Sequence, residues 1–125
     1  MLDYTTAMSE QVSQQVVCER YQASFLDSPS NLKVGISQSV RDKTRPIHGL
    51  RLEPEADTTG WYIWSGEYSE DGSFFIPLHV SHVADWEPQL QKYLGLAPGW
   101  RFLVNPEENY EDVWYDPNLL STANK

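Results

Sequence analysis

"GWYIWSGEYSED", residues 60–71, sets three aromatic rings within four positions and follows them with three acids. Read as a strand, its side chains alternate, so Trp61 and Ile63 take one face while Tyr62 and Trp64 take the other. Both faces are apolar. Either the sheet is covered on both sides, or one aromatic face is kept open for a partner. A strand apolar on both sides would aggregate at a sheet edge, so residues 60–65 are expected inside the sheet, with Trp61 packed near Trp86 and Leu90.

On its N-terminal side, "LKVGISQSV" places Leu32, Val34, Ile36 and Val40 on one side, interrupted by Gln38, and reads as a half-buried strand. "IHGLRLEP" returns after a polar turn, with Leu50 and Leu52 on one side and Arg51 and Glu53 on the other. The two segments read as neighbouring antiparallel strands. "FFIPLHV" contains Pro77, which has no amide proton for a ladder, and is expected at an edge. "WRFLVN" and "YEDVWYD" read as two further strands joined by the turn "PEEN".

Two helices are expected. The first spans "TTAMSEQVSQQVVCERYQASF", with Met8, Val12, Val16 and Tyr21 near helical spacing. The second is "HVADWEPQLQKYLGL", with Trp86, Leu90, Tyr93 and Leu94 on one stripe, Asp85 as N-cap, Pro88 in the first turn and Gly95 at the C′ position. Five or six short strands and two helices without regular alternation give an α+β single domain around a mostly antiparallel, twisted sheet.

The chain of 125 residues suits one core, and 40% hydrophobic content with 13% aromatics is too rich for disorder. Apolar runs are too short to span a membrane, and the start "MLDYTTAMSE" carries no classical secretory signal, so a cytoplasmic location is expected. The single Cys18 reads as a small core residue. Net charge is −9 and uneven. Residues 1–52 hold five acids against six bases, a net +1, while residues 53–125 hold thirteen acids against three bases, a net −10. Such a field repels phosphate backbones and attracts basic partners, or serves only solubility. No nucleic-acid partner is expected.

Chemical motifs are scarce. His79 and His82 in "HVSH" have a spacing at which two imidazoles share a metal on a helix, but no signature such as H-E-x-x-H surrounds them, and neither metal nor cofactor is expected. His48 reads as an ordinary hydrogen-bonded histidine. No G-x-S-x-G, P-loop or dinucleotide fingerprint is present, so an enzyme is not expected. The strand "YEDVWYD" throws Tyr110, Asp112, Trp114 and Asp116 to one side and Glu111, Val113 and Tyr115 to the other. A ring flanked by carboxylates suits Lys or Arg recognition; equally, Trp114 is core and the acids mark strand ends. The partner-binding candidates are Trp64 and Trp114 as central anchors with Glu67, Glu70, Asp71, Glu111, Asp112 and Asp116 as the rim.

These blocks together resemble the immunity protein 33 family of bacterial polymorphic toxin systems. The resemblance is carried by "VGISQSVRDKTRPIHGLRLEPEADTTGWYIWSGE", "PLHVSH" before a helix, "YLGLAPGWRFL" and "YEDVWYD". It implies an α+β, non-enzymatic domain over residues 31–120 that protects its producer by binding a cognate toxin. Residues 1–30, a helix and linker, would then be this protein's own addition, and 121–125 a frayed tail. The acidic half fits a basic toxin. The alternative is a housekeeping or regulatory domain binding a small molecule or peptide in an aromatic groove.

Overall fold

The computed structural model describes residues 2–121, with side chains over residues 12–120. Its elements run α1 (Leu2–Tyr21), β1 (Lys33–Ser37), α2 (Gln38–Arg41), β2 (Ile47–Arg51), β3 (Thr58–Ser65), β4 (Phe75–His79), α3 (Val83–Trp86), β5 (Trp100–Asn105), β6 (Tyr110–Tyr115) and α4 (Asn118–Ser121). Three 3₁₀ segments lie at Val80–His82, Pro88–Tyr93 and Pro106–Glu108. The six strands form one sheet in the order β4-β1-β3-β2-β5-β6. Only β1 and β3 run parallel; every other pair is antiparallel, giving the α+β class.

The two-sided apolar strand β3 lies inside the sheet, between β1 and β2. That insertion corrects the expectation that β1 and β2 are neighbours: the strand with no polar face takes the position with a partner on each side. β4, bearing Pro77, is an edge strand as expected, and β6 is the other edge.

β1 ends earlier than the sequence alternation implied. Ser37 is its last residue, and Gln38–Arg41 turn into a short helix that still buries Val40 completely. The polar break at Gln38 marks the point where the chain leaves the strand.

The core lies on one face of the sheet. Val34 and Ile36 of β1, Ile47 of β2, Trp61 and Ile63 of β3, and Phe102 and Val104 of β5 meet Val17 and Cys18 of α1, Val83 of α3, and Leu90, Tyr93 and Leu94. Trp61 is 1% exposed, and its indole Nε1–H donates to the Leu94 carbonyl at 3.2 Å. Cys18 is buried, and burial pushes its thiol pKa up.

α1 presents a different stripe from the one expected. Gln14, Val17 and Cys18 are buried and Tyr21 half-buried, whereas Val12 and Val16 are 54% and 46% exposed. Residues 14, 17, 18 and 21 follow i, i+3, i+4, i+7, and this stripe meets the 3₁₀ segment Pro88–Tyr93, where Gln14 Nε2 donates to the Gln91 carbonyl at 2.9 Å. The side chain of Met8 and the tail beyond residue 121 lie outside the described residues.

The second expected helix is divided. α3 stops at Trp86, Glu87 is extended (φ −158°, ψ 101°), and the chain resumes as the 3₁₀ segment from Pro88. The cause is Pro88, which disfavours helical geometry at the preceding residue. The cap is therefore Glu87, whose carboxylate accepts from Gln89 N at 3.2 Å, instead of Asp85. Gly95 is also not a left-handed C′ residue. A Cβ there would stand 2.7 Å from the Phe25 ring and 2.9 Å from Gln14 Cβ, so the glycine permits close packing of α1 and the following linker.

Arg51 points into the core and is 1% exposed. Its guanidinium donates to five backbone carbonyls: Thr59, Leu26, Leu94, Leu96 and Asp27, at 2.8–3.3 Å. Burial pushes its pKa down to about 10, so it stays charged at neutral pH. It ties β2 to the backbone at residues 26–27 and 94–96.

Candidate functional site on the open sheet face

The face opposite the core keeps none of α1, α2 or α3 against it, since the buried residues of those helices belong to the core cluster. Strand register fixes what it displays, because cross-strand partners project to the same side. One row crosses all six strands: Pro77, Gly35, Tyr62, Leu50, Arg101 and Trp114. A second row holds Trp64, His48, Leu103 and Asp112. The residues that begin as a two-sided apolar strand therefore divide between a closed core and an open aromatic face.

The rings on this face are held by one another. His48 stacks on Trp64 with centroids 4.9 Å apart and planes 4° apart. Tyr68 stands edge-on to Trp64 at 5.4 Å, and Phe75 stands edge-on to Tyr62 at 5.3 Å. Tyr62 lies over Gly35, where a Cβ would come within 2.9 Å of its ring. Burial, and then the charge of Arg101, lowers the His48 pKa, which keeps the stacked imidazole neutral at physiological pH.

Between these rings lies a groove of about 300 Å³ lined by Leu50, Leu52, Tyr62, Trp64, Tyr68 and Phe75. A second cavity of about 230 Å³ shares Leu52 and Tyr62 with it and adds Glu53, Glu55, Thr58, Gly60 and Leu119. Apolar and acidic surfaces thus adjoin along β3.

The sequence candidates are distributed unevenly over this geometry. Trp64 lines the groove, though only 6% of its surface is exposed, and its buried indole N–H has no acceptor among the described residues. Glu67, Glu70 and Asp71 are exposed in the loop from β3 to β4, where Asp71 accepts from Ser73 N and Oγ, each at 2.8 Å. Trp114 and Asp112 share the open face two and three strands from Leu50 and Trp64 respectively. Arg101 lies 5.6 Å from the Trp114 ring centre and pairs with Asp116 at 3.1 Å, so the Asp116 carboxylate already has a cation.

Glu111 projects to the core side. It accepts from Arg20 Nη1 at 2.6 Å, Tyr21 Oη at 2.5 Å and Tyr93 Oη at 2.6 Å, and ties α1 to the edge strand. Burial raises its pKa, but those three hydrogen bonds outweigh it and hold the carboxyl below its usual range. Sequence reading missed Leu50, Leu52, Tyr62, Glu53 and Glu55. The alternation of β2 already set both leucines opposite Arg51, but the signal was ambiguous because nothing in it says that the arginine points inward.

The histidines gather no ligand set. His79 and His82 have ring centroids 6.4 Å apart, and His82 Nδ1 lies 3.3 Å from Asp85 Oδ2. Among the described residues no group of three or more His, Cys, Asp or Glu could hold a metal ion, and no helix is long and apolar enough to cross a membrane.

The family model for the Imm33-like domain matches residues 13–116, which spans the second half of α1 and all six strands. The chain belongs to the Imm33-like family. Membership points to an immunity protein, a class that is generally non-enzymatic and that has a toxin for a partner. No curated protein and no solved structure matches this Imm33-like chain.

Proposed function

We propose that the protein neutralises a cognate bacterial toxin by direct binding, with the open aromatic face of the sheet as the docking surface. The observation that carries this reading is the sheet's asymmetry: α1, α2 and α3 cover one face, and the other, where α4 contributes only Leu119 at the margin of a cavity, keeps Tyr62, Tyr68, Phe75 and Trp114 at least partly exposed. Aromatic side chains at the centre of a patch supply most of the contact energy in a protein interface. Acids border the rings, with Glu67, Glu70 and Asp71 in one loop, Glu53 and Glu55 in another, and Asp112 on β6. Such a border favours a basic toxin and raises its rate of association. Glu111 and Asp116 act by holding the fold, since their carboxylates are taken by Tyr21, Tyr93, Arg20 and Arg101.

The test is binding kinetics against the toxin-like product of the neighbouring gene, together with survival of cells that co-express both. Reversing Glu67, Glu70 and Asp71 to Lys should slow association and flatten its salt dependence. Replacing exposed Tyr68 with Ser should raise the dissociation rate, by roughly tenfold for a loss of about 1.4 kcal/mol. Unchanged rates at low and moderate salt in both variants would move the interface away from this face.

A further inference from the structure

We infer that the two adjoining cavities form one trough for an extended segment of the toxin, carrying an apolar side chain and, two residues away on the same side, a lysine or arginine. This rests on the immunity reading and adds the chemistry of what is bound.

The two halves of the trough differ. The first is walled by Leu50, Trp64, Tyr68 and Phe75, and the second by Glu53 and Glu55, with Tyr62 and Leu52 shared between them. From Gly60 to Trp64 the trough follows four strand steps, about 13 Å, the span of roughly four extended residues. One half lies between Tyr62 and Trp64 and the other between Gly60 and Tyr62, so their centres are one two-residue step apart, and same-side positions of an extended segment, about 7 Å apart, match them.

Charge selects the occupant. Glu53 and Glu55 are exposed and make no ion pair with the described residues, whereas nearby Asp57 is held by Lys33 Nζ at 2.9 Å. Two carboxylates with no ion pair among the described residues, beside an apolar wall, favour a cationic side chain whose neighbour is apolar. A second copy of this chain is disfavoured, because it brings a net charge of −9 to an acidic site. The rings are mutually braced, so the groove does not have to be assembled on binding.

The purified chain is used to select from a displayed library of random linear peptides, and recovered sequences are resynthesised for affinity measurement. Enrichment of an apolar residue two positions from Lys or Arg is expected. Affinity should fall at least about tenfold in Glu53→Lys/Glu55→Lys and in Tyr68→Ser, and change less than about twofold in Glu107→Lys/Glu108→Lys, a charge-matched control on the turn between β5 and β6. Circular dichroism confirms each variant's fold. Failure to recover peptides, recovery of peptides without a basic residue, or equal losses in both double variants would overturn the trough. So would a concentration-dependent dimer broken by Tyr68→Ser, which assigns the groove to a second copy. Cell protection separates the two readings. If Glu53→Lys/Glu55→Lys protects as well as the parent, the trough fails and immunity stands; if the parent does not protect, immunity fails even where peptides bind.

Discussion

His48 and Trp64 face each other across β2 and β3 in a nearly parallel stack, 4.9 Å between centroids. Burial and Arg101 depress the histidine's folded-state pKa below its ordinary value of about 6.5. The unfolded chain therefore binds a proton more readily than the folded one as pH falls below that value. Stability contributed by the neutral stack is present above about pH 6.5 and lost on acidification through the folded pKa. Thermal melts from pH 7.5 to 5 should show this loss, and His48→Phe should flatten that part of the profile. An unchanged profile would remove His48 from the account.

Trp61→Ala should cost about 3–5 kcal/mol, the range for deleting a fully buried large aromatic. The substitution also leaves one hydrogen bond to Leu94 unmade. Urea unfolding gives the comparison directly, and a midpoint close to the parent's would contradict the core placement.

Arg51→Met should destabilise by at least about 3 kcal/mol, because it removes the guanidinium donor from the Thr59 and Leu96 carbonyls in buried hydrogen bonds. Arg51→Lys should recover only part of that loss: an ammonium keeps the charge but cannot reproduce the fork that reaches Leu26, Asp27, Thr59 and Leu96 together. Equal stability of the Lys variant and the parent would show that charge alone matters there.

Glu111→Gln should cost about 1–2 kcal/mol at neutral pH through weakened hydrogen bonds from Tyr21, Tyr93 and Arg20. The parent carboxyl's folded pKa is depressed, so its contribution is present above the ordinary value of about 4.5 and lost as pH falls through the folded pKa. The Gln variant should therefore show a shallower acid limb. Tyr93 provides the opposite limb: burial and Glu111 raise its phenol pKa, so its contribution is complete below about pH 10 and lost as pH rises further. Tyr93→Phe should flatten the alkaline limb.

Local pattern and topology contributed different things. Alternation in β3 was enough to expect an inner strand with Trp61 and Ile63 on one side and Tyr62 and Trp64 on the other, because a two-residue period allows no other division. Pro77 marked an edge for an equally local reason, its missing amide proton. The blocks from Val34 onward carried the resemblance that the family match bears out. Three features depended on contacts distant in sequence. The buried stripe of α1 was chosen by the 3₁₀ segment at Pro88–Tyr93, since Val16 and Val17 offer two stripes and only packing selects one. Arg51 could turn inward only because five carbonyls from three separate segments converge on it. Whether Tyr62 and Trp64 were covered or open was undecidable from the strand itself; it was decided when α1, α2 and α3 all packed on the other face, leaving the aromatic row beside Glu53 and Glu55 without a helix of that set over it.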